Sequence, residues 1–172
     1  PIIVLTTVFG NSSIDNVTKN AGYVVKCFNS KWEIYKGAAK PVSGKASTAE
    51  SHGPSGLGNA EINELEVKMP STKSAREFFK DIKHKFTLFC LGPLTNIAEA
   101  IETDQNFLKK VDRLVIMGDV FSEKGNITEH AEFNFYNDPE AVDIVLKSAE
   151  RHLTDVSIIP VEVCRKVLLD FQ

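Results

Sequence analysis

Phe86-Thr87-Leu88-Phe89-Cys90-Leu91-Gly92-Pro93-Leu94-Thr95-Asn96 is the stretch that decides the fold class. Its first six residues form a short, mostly apolar run that ends at a glycine, which is typical of a buried strand. Pro93 then favours the start of a helix, which we predict over Thr95–Ile101. The stretch therefore predicts a strand followed directly by a helix.

The same alternation of apolar runs and helical patterns extends along the chain. Further apolar runs predict strands over Ile2–Val8, Leu114–Met117 and Val156–Pro160. Apolar positions with a helical period predict helices over Asp15–Phe28, Ser71–Ile82 and Pro139–Leu146, the last with Asp138 as its N-cap. Strands that alternate with helices predict an α/β fold with a mostly parallel open sheet and helices on both faces, in one domain over residues 1–172.

Between Lys36 and Pro70 the pattern is interrupted by a segment rich in Gly, Ser, Pro and Ala. It shows little periodicity beyond a short extended piece at Leu65–Val67. His52 lies in this segment between glycines that would let the backbone approach a ligand. A loop of this length is usually either functional or disordered, so a ligand-binding loop and a flexible surface loop are both compatible with the sequence.

Composition excludes some classes of partner. The formal net charge is -3, and the Lys and Arg residues are scattered, so we expect no nucleic-acid partner. No apolar stretch approaches the roughly 18 residues of a membrane span, so we expect no membrane partner. Cys27, Cys90 and Cys164 are few, odd in number and set among apolar residues. This pattern predicts buried, reduced thiols and favours a cytoplasmic location.

The carboxyl ends of the predicted strands are polar, and ligands of open α/β sheets bind at those ends. Asn11 follows the first strand, where a simple turn into the next helix is the alternative interpretation. Glu132 and Asn134, two residues apart, would point to the same side of an extended backbone and could hold two adjacent hydroxyl groups. Phe133 would point to the opposite side, either into the core or as a wall of a bent loop.

Several of these segments, in this order, resemble one enzyme family. The ordered set is similar to the inosine–uridine-type nucleoside hydrolases over nearly all 172 residues: Leu5–Asn11, Gly37-Ala38, His52–Gly58, Leu91–Ala98, Ile116–Gly118, Gly125-Asn126, Ala131–Asn134 and Asp138–Ala141. Two stretches, Glu132–Pro139 and Pro160–Cys164, look closest to animal members of the family. The resemblance implies a Rossmann-like fold and hydrolysis of the N-glycosidic bond of ribonucleosides to ribose and free base. It also implies a nucleoside or ribose as ligand and a possible homo-oligomer.

The resemblance further implies roles for individual residues. Enzymes of this family bind Ca²⁺, which holds a water molecule and the ribose 2′- and 3′-hydroxyl groups. Asn11 is similar in position to a ribose-contacting asparagine, His52 to a base-side histidine, and Leu91 to a residue whose backbone carbonyl ligates calcium. The sugar-binding set would contain Met117, Asn126, Glu132 and Asn134, with Phe133 beside them.

Two expected parts of the family pattern are not found in the sequence. An aspartate-rich run that supplies calcium ligands and the general base would lie before Pro1, and a His-Asp pair would lie after Gln172. We therefore expect a chain that is incomplete at both ends, contains no identifiable catalytic residue, and by itself neither binds Ca²⁺ nor hydrolyses nucleosides.

Asp119 is a further departure, because it stands where the family usually has a second glycine after Met-Gly. Two other functions stay open. One is a non-catalytic nucleoside- or sugar-binding relative that has lost the metal site, and the other is a structural or interaction domain.

Overall fold

The computed structural model describes residues 2–45, 47–58, 60 and 67–167. They fall into two compact units, Pro1–Ile82 and Lys83–Gln172. Strands in both units pair in parallel and alternate with helices, so the predicted α/β class with a mostly parallel open sheet is confirmed. One domain over residues 1–172, incomplete at both ends, stays a prediction.

The first unit contains a two-stranded parallel sheet. β1 (Val4–Thr6) pairs with β2 (Glu33–Tyr35), and α1 (Ile14–Cys27) connects them. The sequence predicts a longer first strand, Ile2–Val8, and does not predict β2, because three residues are too few to show a period. α2 (Ala75–Asp81) follows the segment rich in Gly, Ser, Pro and Ala, and it begins four residues later than the predicted start at Ser71.

Capping side chains explain where these two helices begin. The Ser13 hydroxyl accepts a hydrogen bond from the Asn16 N–H at the start of α1. At the start of α2, Ser74 and Glu77 form a capping box, in which each side chain accepts from the other residue's N–H. Such caps satisfy N–H groups that have no partner within the helix, and each typically stabilises a helix by about 1 kcal/mol.

The second unit contains a three-stranded parallel sheet in the order β3-β4-β5. β3 (Phe86–Cys90) is followed by α3 (Thr95–Thr103) and a short 3₁₀ turn (Phe107–Lys110), which leads into β4 (Val111–Met117). A long loop then leads to α4 (Phe133–Asn137), and the chain continues with α5 (Pro139–His152), β5 (Asp155–Ile159) and α6 (Val161–Cys164). The three predicted strands of this unit and the helices α3 and α5 are therefore confirmed.

The core of the second unit forms between α3, α5 and the sheet. Leu114 and Ile116 of β4 are fully buried, as are Ala98 of α3 and Val145 of α5. Asp138 is also fully buried: its Oδ1 accepts from the Ala141 N–H at 3.1 Å and its Oδ2 from the Thr95 hydroxyl. The predicted N-cap is confirmed, and it also ties the start of α5 to the first turn of α3.

The extended piece predicted at Leu65–Val67 is only partly described by the structure. Leu65 and Glu66 lie outside the described residues, and Val67 has no regular secondary structure.

The three cysteines differ in burial. The prediction of three buried thiols is wrong for Cys27, which is exposed at the end of α1, and Cys164 is half-buried. Cys90 is buried, and burial raises the pKa of its thiol to about 12. All three thiols are free of disulfide bonds.

Among the described helices, none has both the length and the apolar character needed to cross a membrane.

Candidate functional site

Glu132 caps α4 instead of lying in an extended segment. Its Oε2 accepts hydrogen bonds from the Asn134 N–H at 2.8 Å and the Phe135 N–H at 3.2 Å, and the residue is only 2% exposed. The predicted extended geometry of Glu132–Asn134 is therefore wrong. The physical reason is that the first turn of a helix leaves N–H groups without partners, and a preceding carboxylate satisfies them.

Asn134 connects this cap to the end of β4. Its side-chain Nδ2 donates to the backbone carbonyl of Met117 and contacts the Met117 sulfur, each at 3.1 Å. Asn134 is 7% exposed, so these contacts are shielded from water. The sugar-binding residues predicted on different segments are thus held together by direct hydrogen bonds.

Asn126 and Phe133 complete this group. The Asn126 Oδ1 accepts from the Phe133 N–H at 2.7 Å, which fixes the loop before α4 to its first residue. The Phe133 side chain is 9% exposed, which favours the core-packing interpretation over an open wall. We call Met117, Asn126, Glu132, Phe133 and Asn134 the sugar cluster.

The Glu132 carboxyl has an unusual electrostatic environment. Burial is the main reason that its pKa is raised, and the neighbouring Asp119 carboxylate raises it further. Hydrogen bonds from the N–H groups of Asn134, Phe135 and Asp119 partly oppose this shift. Asp119 itself has a φ of 70°, a left-handed conformation that favours glycine, and its Oδ1 accepts from the Val120 N–H. Asp119, which stands where the family usually has a glycine, therefore has two effects. It places a side chain on a left-handed backbone, and its charge raises the pKa of Glu132.

Leu91 and Met117 lie at the carboxyl ends of the neighbouring strands β3 and β4. Leu91 directly follows β3, one residue beyond the paired residues Cys90 and Ile116. Its side chain is 74% exposed. Its carbonyl as a calcium ligand stays a prediction.

Asn11 and the His52 loop lie close together in the first unit. A cavity of about 460 Å³ follows β1 and reaches the first turn of α1; it is lined by Asn11, Ser12, Ser13, Asn16, Thr48, Ala49, Gly53 and Pro54. Five of its eight lining residues carry hydroxyl or amide side chains, and none of the eight carries a charged one. Such a surface suits a neutral ligand that has both apolar and hydrogen-bonding groups.

The loop that contains His52 is docked onto α1. Asn16 donates from Nδ2 to the Pro54 carbonyl at 3.0 Å, and the buried Asn20 donates to the Ser55 carbonyl at 2.8 Å. His52 is half-buried, with its Nδ1 3.2 Å from the Ser51 hydroxyl. These hydrogen bonds hold the His52 loop in a defined conformation, which favours a ligand-binding loop over the flexible surface loop that the sequence also allowed.

The described residues do not fit a complete calcium site. Ca²⁺ binds about six to eight oxygen ligands. Among the residues that the structure describes, no three Asp, Glu, His or Cys side chains are grouped so that they could hold a metal ion. Glu162 has a buried oxygen, Oε2, without a hydrogen-bond partner, but one carboxylate and the Leu91 carbonyl supply too few oxygens.

Sequence reasoning missed Glu162 as a residue of interest. It lies just after β5, is 4% exposed, and its Oε1 accepts from the Phe121 N–H, the Ser122 N–H and the Ser122 hydroxyl. An acidic residue between two valines at a strand end, Val161-Glu162-Val163, is the signal that could have drawn attention to it. Its partners are about 40 residues away in sequence, so no local pattern predicts them.

With this geometry established, comparison with known proteins identifies the family. The sequence profile described as inosine-uridine preferring nucleoside hydrolase matches residues 1–172. The chain belongs to the inosine-uridine preferring nucleoside hydrolase family.

Relatives of this nucleoside hydrolase chain include plant enzymes. It is 35% identical to "Probable uridine nucleosidase 1" of Oryza sativa subsp. japonica, over 96% of the chain and 52% of that relative. It is 34% identical to "Uridine nucleosidase 1" of Arabidopsis thaliana, over 98% of the chain and 51% of that relative. The chain thus spans about half the length of these relatives. Its likeness to animal members stays a prediction.

A solved structure confirms the fold. The structure named "Plant nucleoside hydrolase - PpNRh1 enzyme" matches with a TM-score of 0.85 and 29% identity, over 97% of the chain and 54% of that structure. The predicted nucleoside hydrolase-like, Rossmann-like fold is therefore confirmed.

Proposed function

We propose that the protein containing this chain hydrolyses the N-glycosidic bond of ribonucleosides to ribose and free base. The observation that carries this proposal is the family match over residues 1–172. Relatives named uridine nucleosidase and non-specific ribonucleoside hydrolase support it, and they favour an enzyme over a non-catalytic sugar-binding relative or a structural domain. We propose uridine and inosine as the first substrates to test.

In this proposal the sugar cluster binds the ribose, while Asn11 as a ribose contact and His52 as a base-side residue rest on the family resemblance alone. Carboxylate and amide groups are suited to hold adjacent hydroxyl groups, because one accepts and the other both donates and accepts. The hydrogen bonds from Asn134 to Met117 and from Phe133 to Asn126 hold the cluster in one arrangement before a ligand binds. A ribose bound in a fixed orientation reacts faster than a freely rotating one, so this chain would contribute orientation to catalysis.

We also propose Ca²⁺ as the cofactor of the whole protein, on the family resemblance, with the Leu91 carbonyl as one ligand. When bound, such an ion lowers the pKa of a coordinated water molecule. The remaining ligands would come from outside the described residues. Loss of activity with a calcium chelator, restored by added Ca²⁺, is the expected result, and activity unaffected by chelation would contradict the cofactor.

Ribose release from uridine and inosine, measured in the presence of Ca²⁺, tests the main proposal. We expect activity in the protein and a fall in kcat/KM of about 100-fold on Asn134→Ala, because a hydrogen-bonding group that orients the sugar is lost. Asn106→Ala, an exposed position whose side chain does not cap its turn, is the matched control and is expected to leave kcat/KM unchanged. Absence of ribose release from every nucleoside tested would refute the proposed function.

Location and assembly are separate proposals. Three free thiols support a cytoplasmic, reducing compartment, and imaging of a fluorescent fusion tests it.

A homo-oligomer is proposed on the family resemblance, and light scattering of the purified protein measures its mass.

A further inference from the structure

Glu162 is a buried carboxylate that holds a loop far away in sequence. Three donors reach its Oε1: the Phe121 N–H and the Ser122 N–H, each at 3.0 Å, and the Ser122 hydroxyl at 3.2 Å. We call residues 118–122 the β4 loop, because they follow β4 directly. Glu162 therefore fixes the far end of this loop.

The start of the β4 loop is held by backbone hydrogen bonds to residues 159–161, which directly precede Glu162. The Gly118 N–H donates to the Ile159 carbonyl at 3.2 Å, and the Val161 N–H donates to the Asp119 carbonyl at 3.1 Å. Residues 159–162 thus hold the β4 loop at both ends. Of these contacts, only those of Glu162 depend on the identity of a side chain.

The β4 loop in turn contacts the sugar cluster. The backbone N–H of Asp119 lies near enough to the Glu132 carboxyl to lower its pKa. Met117, which immediately precedes the loop, accepts from the Asn134 side chain. A change in the path of residues 118–122 would therefore move the partners of two sugar-cluster residues.

Simple packing does not explain a glutamate at this position. A buried ionised carboxylate pays a large desolvation penalty, and apolar residues of similar volume are often equally or more stabilising. Burial raises the pKa of Glu162, but hydrogen bonds from its own N–H, from Phe121 and from Ser122 lower it more, so the net shift is downward. The carboxylate is thus kept charged as an acceptor for the loop.

We propose that Glu162 is a positioning residue for nucleoside binding, which acts through the β4 loop on Met117 and Glu132 of the sugar cluster. This inference rests on the proposed function of the sugar cluster. Glu162 itself is not assigned any contact with the substrate.

Three variants of the protein distinguish the role of the Glu162 side chain as a hydrogen-bond acceptor from the effects of its charge and its volume. Glu162→Gln keeps an oxygen that can accept the three hydrogen bonds, whereas Glu162→Leu keeps the volume and removes the acceptor. Glu150→Leu, at an exposed position of α5, is the matched control. Glu162→Leu is expected to raise KM about tenfold with kcat changed by less than about threefold, because loosened positioning weakens sugar binding in the ground and transition states alike. Glu162→Gln and the control are expected to stay within about threefold of the parent in both constants.

An NMR signal of Met117 reports on whether the β4 loop keeps its position. The methyl signal of Met117 in ¹³C-methyl-methionine NMR, identified as the one that Met117→Leu removes, reports on the Asn134 contact. It is expected to shift or broaden in Glu162→Leu, and to coincide with that of the parent in Glu162→Gln. Ser122→Ala, which removes one of the three donors from an exposed residue, provides a milder variant should Glu162→Leu fail to fold. Its KM is expected to rise about twofold relative to the parent, with kcat unchanged.

The results distinguish the inference from the proposed function. A parent protein that releases no ribose overturns the proposed function, while the Met117 signal still decides whether Glu162 holds the loop. An active parent with unchanged KM and Met117 signal in Glu162→Leu overturns the inference. Equal impairment of Glu162→Gln and Glu162→Leu also overturns it, because the acceptor alone would then not explain the effect.

Discussion

Asp119 adopts a backbone conformation that suits glycine better than aspartate. Its φ is 70°, and a non-glycine residue in this region is strained by roughly 1 kcal/mol or more. We predict that Asp119→Gly raises the free energy of unfolding by about 1 kcal/mol, measured by urea denaturation. Part of this gain is offset by loss of the hydrogen bond from the Val120 N–H to the Asp119 side chain.

Leu153→Gly is a matched control for this substitution. Leu153 also has a positive φ, 54°, and is 92% exposed at the end of α5, so its replacement relieves strain without changing any charge. Asp119→Gly is expected to lower the pKa of Glu132 and Leu153→Gly is not, because the Asp119 charge raises that pKa and Leu153 carries no charge. Destabilisation by Asp119→Gly would show that the side-chain hydrogen bond outweighs the backbone strain.

Glu132 and Glu162 are both buried, but they link folding to pH in opposite directions. The pKa of Glu132 is raised in the folded state, so its contribution to stability is present below the unfolded pKa of about 4.3 and is lost as pH rises through the folded pKa. The pKa of Glu162 is lowered, so its contribution is present above the unfolded pKa and is lost as pH falls through the folded pKa.

We therefore predict opposite pH profiles for two glutamine variants. Between about pH 3 and pH 7, the free energy of unfolding relative to the parent should rise with pH for Glu132→Gln and fall with pH for Glu162→Gln. Urea denaturation at a series of pH values measures both profiles. Profiles that change in the same direction would be inconsistent with the environments described for these carboxyl groups.

At the scale of elements, α1 organises the loop that contains His52. Asn16 and Asn20, one helical turn apart on α1, donate to the carbonyls of Pro54 and Ser55. Gly56 approaches so closely that an added Cβ would lie 2.8 Å from the Ser12 Cβ, and its φ is 79°. The loop is therefore fitted to one face of this helix.

We predict that Asn20→Ala loosens this loop. Loss of a buried hydrogen bond of this kind is worth about 1 kcal/mol, so amide hydrogen exchange in residues 53–58 should become about fivefold faster. Asn106→Ala, whose side chain does not cap its turn, is the control and should leave this exchange unchanged. Unchanged exchange in Asn20→Ala would mean that the loop is held by other contacts.

At the scale of the whole molecule, β3 lies at an edge of the described three-stranded sheet. Phe89 on this strand is 64% exposed, and Leu91, which follows it, is 74% exposed. Exposed apolar side chains on an edge strand favour association between molecules. Residues 1–172 alone are therefore expected to self-associate.

Phe89→Lys should reduce this association, because a charged residue at a sheet edge opposes strand pairing between copies. Light scattering of residues 1–172 at increasing concentration measures the effect. Lys109→Ala, at an exposed position outside the sheet, is the comparison and should not reduce the scattering. A monodisperse parent would contradict the prediction.

The sequence by itself determined the alternation of strands and helices and the start of α5 at Asp138. These features depend on patterns within a few residues: apolar runs, helical periods and an Asp-Pro-Glu sequence. The ordered family segments also predicted the residues that meet in the sugar cluster, although not their geometry.

Only the tertiary structure decided how the buried acids are used. Glu132 caps a helix whose Asn134 side chain donates to Met117, 17 residues earlier, and Glu162 holds Phe121 and Ser122 from about 40 residues away. No local pattern records such contacts, because a buried carboxylate must satisfy its oxygens with whichever N–H groups the fold brings to it.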